Sequence, residues 1–303
     1  MALIGGAETF LPRTRLGRAL ARMPFLAAVA VKAAAYLAVV LAVVGGRLGP
    51  SVALLTVDAG TAQLMGAQFE SNLPRGLLIP VATLFVLLLV TLRQATQLVG
   101  ERTMRDIVYG RYRRPRLEER FFLFVDIVGS TPVAERLGPV SVHRYLNRVF
   151  LLASDPIDQH DGAVVQYVGD EIIVTWKLAE GGGGARPLAC LFAIEAAVAA
   201  AAADFEREFG TIPRLRAALH AGEVVTGETG GSRRAIVFNG DVMNTTSRIE
   251  NATRTLGRAY LVSEDALKRM EGTETYALED MGPQQLRGKE ARLRVFAVSL
   301  PGR

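Results

Sequence analysis

Two apolar runs near the front of the chain constrain its fold more than any other feature. Residues 25–45 (FLAAVAVKAAAYLAVVLAVVG) carry a single charge, Lys32, and residues 77–92 (LLIPVATLFVLLLVTL) carry none. At about 1.5 Å per helical residue the first run spans roughly 30 Å, the thickness of a bilayer's hydrocarbon core. Lys32 sits about two turns from one end, within reach of the interface for a snorkelling side chain. The second run is shorter, and Gly76 and the stem of Arg93 extend it. Neither run shows the polar face that a half-buried helix of a soluble protein needs. The expectation is a two-helix transmembrane hairpin, with spans at about 25–45 and 76–92. A mean hydropathy of +0.24, with half the residues hydrophobic and 21% charged, agrees with it and excludes intrinsic disorder.

The flanking charges orient the hairpin. Arg13, Arg15, Arg18 and Arg22 precede the first span, and Arg93, Arg102, Arg105, Arg111, Arg113, Arg114 and Arg116 follow the second. The loop 46–76 has only Arg47 and Arg75. The positive-inside rule then places both termini in the cytoplasm, at the cell inner membrane. Residues 1–120 carry 15 Lys/Arg against 7 Asp/Glu, a net of +8, whereas 121–303 carry 20 against 23, a net of −3. Basic character confined to the membrane-flanking half points to anionic lipid head groups and not to nucleic acid. Two helices are too few for a transport pathway, and the outer loop is too small for a core of its own. The chemistry is therefore expected after residue 116. The resulting division is a basic segment 1–24, the hairpin 25–92, a cytoplasmic linker helix over 93–117 that ends near Pro115, and a catalytic domain 118–303. A lone cysteine, Cys190, excludes an intrachain disulfide and a cysteine-rich zinc site. His143, His160 and His220 are too scattered to read as a metal cluster.

From Phe121 onward, strand-like and helical patterns alternate. The buried run 121–125 ends in Asp126 and is followed by Gly129-Ser130-Thr131 at the start of a helix. A carboxylate at a strand end beside free loop amides suits a divalent metal and a phosphate, although an aspartate there also serves as a plain helix cap. Residues 163–168 and 171–176 read as a hairpin with Gly169-Asp170 at its tip. Asp170 is the second candidate ligand; Glu171, one strand position on, is expected to turn its side chain away. Two such aspartates can flank a pair of metal ions in phosphoryl or nucleotidyl transfer. Further along, Asp241 reads as a helix N-cap and Gly257 as the stop. Asn244 and Arg248, at i and i+4, share one face of that helix. They suit a ribose oxygen and a transferring phosphate, or simply a solvated surface.

The stretches FFLFVDIVGST, QYVGDEIIVTW, LHAGEVVTGETG, FNGDVMNTTSRIEN and LRGKEARLRVFAV together resemble the catalytic domain of class III nucleotidyl cyclases, over roughly residues 118–299. The resemblance implies an α+β fold, a ferredoxin-like βαββαβ core, working as a head-to-tail homodimer with two shared active sites. It implies two Mg²⁺ (or Mn²⁺) on Asp126, Asp170 and the carbonyl of Ile127. Substrate phosphates would rest on the amides of Gly129, Ser130 and Thr131. Asn244 and Arg248 would come from the second subunit, and Arg287 stands where the family has a phosphate-binding lysine, with Lys289 nearby. The base-reading positions are Gln166 and Val237, and both depart from the family's adenine and guanine patterns. The implied reaction converts a nucleoside triphosphate to a 3′,5′-cyclic nucleotide and pyrophosphate, with ATP the first expectation. The alternatives are a cyclase using GTP or a pyrimidine triphosphate, and a catalytically inactive nucleotide-binding dimerisation module.

Overall fold

A computed structural model of the chain describes residues 109–231, 235–285 and 292–302, together with Asp106 and isolated positions in the two apolar runs. It divides into two units, Met1–Met104 and Arg105–Arg303. In the first unit, positions 31, 34, 35, 38, 81, 84, 85 and 87–92 are helical. The rest of both runs, the outer loop and most of the linker 93–117 lie outside the described residues.

In the second unit the central strand, β1 (Arg116–Ile127), extends well beyond the apolar run 121–125. Its first residues are exposed or half-buried and do not read as strand from hydrophobicity. They are held by pairing: Arg116 to Ile127 align antiparallel with a second long strand, from Thr226 back to Leu215. After β1 come α1 (Ser130–Leu137), α2 (Pro139–Gln159), β2 (Ala163–Val168), β3 (Glu171–Lys177), α3 (Leu178–Gly181), α4 (Arg186–Ala200), α5 (Ala202–Phe209) and β4 (Leu215–Thr229). The order β2-β3-β1-β4 with antiparallel neighbours is the split βαβ topology of the ferredoxin-like core, as expected. Beyond it, β5 (Ala235–Asn239) folds back on β4, and α6 (Asp241–Leu256) follows. Then β6 (Tyr260–Ser263) pairs parallel to β4, and after α7 (Glu264–Leu267) the sheet closes with β8 (Leu293–Ser299) and edge strand β7 (Ala277–Gln284).

Strand alternation sorts β1 between two cores. Phe121, Leu123, Val125 and Ile127 pack with Tyr145 and Val149 of α2, Leu188 and Ile194 of α4, and Phe205 of α5. Phe122 and Phe124 face the other way, toward Val224 and Val242, with Phe238 edge-on to Phe122 at 5.8 Å. Each fully buried phenylalanine contributes about 1.5–3 kcal/mol. A strand covered on both faces is continuously apolar, which is why its centre was legible and its ends were not. Among the described residues one stretch, Gly183–Ala200, is long and apolar enough to cross a membrane. It is the α4 region, whose Leu188, Leu191, Ile194 and Val198 are buried in the core. Cys190 lies among them, and burial pushes its thiol up to about 12, which makes it inert.

Candidate active site

Asp126 is the next even position of β1 after Phe122 and Phe124, so it faces the α6 side at the strand's C-terminal end. Its cross-strand partners are Glu171 on β3 and Arg216 on β4. Residues directly opposite share a face, so a carboxylate, a second carboxylate and a guanidinium stand in one row across three strands. The β2–β3 turn brings Asp170 to the same place. Gly169 adopts the left-handed conformation (φ 62°) and Asp170 does not, as a two-residue turn with glycine first requires. Gly129 is left-handed too (φ 73°) and precedes α1 without a side-chain cap, and the first turn of α1 holds no acidic residue. The amides there remain available to an anion. From above, α6 contributes Ser247, Glu250 and Arg254. Together these groups border a cleft of about 520 Å³ that includes Asp126, Ile127, Gly129, Ser130, Thr131 and Asp170.

The cleft is electrostatically unbalanced. Arg216 bridges Asp126 and Glu250, its Nε 2.6 Å from a Glu250 oxygen. Oδ2 of Asp126, Nε of Arg216 and Oε1 of Glu250 meet at ion-pair distance without hydrogen-bond alignment, so three buried polar atoms lack a hydrogen-bond partner. Burial, a side-chain hydrogen bond with Asp170 and the Asp170 charge push Asp126 up to about 6 against the pull of Arg216. Burial and the charges of Glu250, Asp126 and Asp170 push Glu171 up to about 7. Crowded carboxylates with an orphaned oxygen, beside a backbone carbonyl, form a hard oxygen donor set that fits Mg²⁺ or Mn²⁺.

The sign of the pH dependence follows. Both carboxylates hold protons more tightly when folded than when unfolded, so their contribution is complete below about pH 4 and lost as pH rises through 6 to 7. Thermal unfolding of the full chain in chelator should show a lower Tm at pH 8 than at pH 5. Millimolar Mg²⁺ should restore the Tm at pH 8 and have little effect at pH 5. Equal Tm values at the two pH values in chelator would contradict the assignment.

Residues 114–299 match the family model of the adenylate and guanylate cyclase catalytic domain. The chain belongs to this cyclase family. It is 37% identical over 203 residues to Adenylate cyclase 2 of Rhizobium meliloti, covering 67% of this chain and 56% of that protein. It is 28% identical over 184 residues to an adenylate cyclase of Anabaena cylindrica, covering 58% and 36%. The chain thus spans little more than half of the first relative and about a third of the second. Among solved structures, a bacterial light-regulated adenylyl cyclase superposes with a TM-score of 0.61 at 20% identity, over 76% of this chain and 66% of that one. The adenylyl cyclase CyaB from P. aeruginosa does so with 0.53 at 20%, over 61% and 96%. These likenesses show the fold.

Within this cyclase domain the expected site residues fall into two groups. Asp126, Ile127, Gly129, Ser130, Thr131 and Asp170 meet in the cleft. Gln166 on β2, Val237 on β5, and Asn244 and Arg248 on α6 do not border it. On α6, Ser247 and Arg254 face the cleft, while Asn244 and Arg248 project about a quarter turn away. Arg287 and Lys289 lie outside the described residues.

Two sequence expectations need correction. Glu171 does not turn away: Asp170 belongs to the turn, so strand alternation starts at Glu171, which lies opposite Asp126 and borders the cleft. Gly240, not Asp241, is the N-cap of α6; its backbone runs so close to β4 that a Cβ would lie 3.0 Å from the Glu223 carbonyl oxygen. Gly257 ends the helix as expected, left-handed at φ 63°. Sequence reasoning missed Arg216, Glu250 and Arg254. Only strand register and helix phase bring them to Asp126, and neither can be read without the pairing.

Proposed function

We propose that the chain is a membrane-anchored nucleotidyl cyclase that makes a 3′,5′-cyclic nucleotide and pyrophosphate, with ATP as the first substrate, at the interface of a homodimer. The observation that carries the reading is the division of the site. One copy offers carboxylates, loop amides and Arg216 in a single cleft, while its Asn244, Arg248, Gln166 and Val237 project elsewhere. A second copy related by a two-fold axis would bring the missing half. In the completed site the amides of Gly129, Ser130 and Thr131 and the guanidinium of Arg216 hold the triphosphate. Asn244 orients the ribose, and Arg248 stabilises charge on the α-phosphate as the 3′-oxygen attacks and pyrophosphate leaves. Asp126, Asp170 and the Ile127 carbonyl would hold two Mg²⁺ or Mn²⁺, which supply Lewis acidity at the hydroxyl and the triphosphate.

The membrane part of the proposal rests on the two apolar runs and the arginines around them. Around the second run Val81, Leu84, Phe85, Leu88 and Leu92 are all exposed, an apolar surface suited to lipid. The Thr91 hydroxyl donates to the Leu87 carbonyl at 2.7 Å, which satisfies it without water.

Choosing ATP follows the relatives named adenylate cyclase. The test of activity and base together is to incubate the full chain with each of four nucleoside triphosphates and Mg²⁺ or Mn²⁺, and to identify products by mass spectrometry. Absence of any cyclic nucleotide would overturn the reading. Gln166 can donate and accept hydrogen bonds, whereas Val237 can only pack. Gln166→Lys with Val237→Asp should therefore raise kcat/KM for ATP relative to the other triphosphates, by about tenfold for each buried polar pair made. Gln166→Ala should flatten the preference. Unchanged ratios in both variants would mean that these positions do not read the base.

A further inference from the structure

A second trough, of about 650 Å³, is lined mostly by residues that the reaction just described does not use. It lies beside the cleft at the same end of the sheet, and Arg216 and Arg254 border both. Its wall is apolar (Val198, Ile212, Leu215), and it gathers four arginines, Arg214, Arg216, Arg254 and Arg258, against one carboxylate, Glu195. Arg216 is held by Asp126 and Glu250, and Arg258 by Glu279 at 2.6 Å. Arg214 and Arg254 form no ion pair among the described residues. In a half of the chain whose net charge is −3, with 20 Lys/Arg against 23 Asp/Glu, this is a local reversal of sign. Guanidinium forks match phosphate oxygens bidentately, and an apolar wall strengthens such pairs by lowering the local dielectric. The volume lies in the range of small-molecule sites.

We infer that this trough is a second binding site for a polyphosphate group, continuous with the catalytic cleft but separate from it. The group is either free pyrophosphate or the tail of a nucleotide. The first source rests on the cyclase reading, because cyclisation releases pyrophosphate next to the trough; the second does not.

The test uses Arg214→Ala/Arg258→Ala, two exposed positions that do not border the cleft. The full chain is titrated calorimetrically in chelator with inorganic pyrophosphate and, separately, with ATP. Wild type should bind both, and the double variant should bind both at least about tenfold more weakly. Arg214→Lys/Arg258→Lys should retain most of the affinity, which separates loss of charge from any loss of fold. A higher affinity for pyrophosphate than for ATP identifies the free anion as the ligand, and the reverse order identifies the nucleotide tail. Turnover without added pyrophosphate should be unchanged in the double variant, while inhibition by added pyrophosphate should weaken. Unchanged affinity for both anions in the alanine variant would overturn the inference. If the protein forms no cyclic nucleotide but pyrophosphate affinity still falls in the variant, the cyclase reading fails and the trough site stands.

Discussion

Asp126→Ala and Asp170→Ala should each lower cyclic-nucleotide formation by at least about a hundredfold, while the fold persists. The two carboxylates border the cleft and are crowded by Glu171 and Glu250. Ionised Asp126 and Glu171 are costly in the folded chain and the Asp170 charge adds to that cost, so removing either aspartate relieves repulsion. After Asp126→Ala, Arg216 keeps its partner Glu250. The Tm of either variant at pH 8 in chelator should therefore equal or exceed that of wild type, even as activity vanishes. Gain of stability with loss of turnover marks a group placed for function at a cost to the fold. Near-normal activity in either variant would refute the metal assignment, as would a large fall in Tm with activity lost in proportion.

The second large effect is recovery of activity by mixing two dead proteins. On the proposed shared site, Asp126→Ala removes the cleft half and Arg248→Ala the half from the other subunit. Each variant alone should be inactive, since every site in its dimer lacks one group. In an equimolar mixture about half the dimers are mixed, and each has one intact site, so activity should return to about a quarter of wild type. The measurement is the rate after co-expression, with mixed dimers verified by differential tagging. Mixed dimers without activity would refute a site shared between subunits. The prediction follows from α6: Arg254 and Ser247 look into the cleft of their own copy, and Asn244 and Arg248 do not.

Much of this site was legible in one dimension because its parts sit at element ends. Asp126 follows a run too apolar to be anything but a buried strand. Gly169-Asp170 separates two strand-like runs by the length of a tight turn, and Gly129 stands where a strand must pass into a helix. Each signal is local, and the structure carries each through. Glu171 was misjudged for an equally local reason, because alternation was counted from a turn residue and not from the first strand residue.

Residue order alone determined the alternation of strands and helices, the strand-end and turn positions of Asp126 and Asp170, and the helix bearing Asn244 and Arg248, because periodicity, turn chemistry and apolar runs act over a few neighbouring residues. The βαββαβ succession was implied by the resemblance to the cyclase family. Residue order also carried the expectation of a hairpin in the membrane, since the length of an uncharged run is itself the physical requirement. Tertiary structure alone decided that Arg216 lies opposite Asp126, that Glu250 reaches the same guanidinium from α6, and that four arginines gather around a neighbouring trough. Those contacts join residues distant in the chain through strand register and helix phase. A shift of one residue in register would turn Arg216 to the opposite face of the sheet.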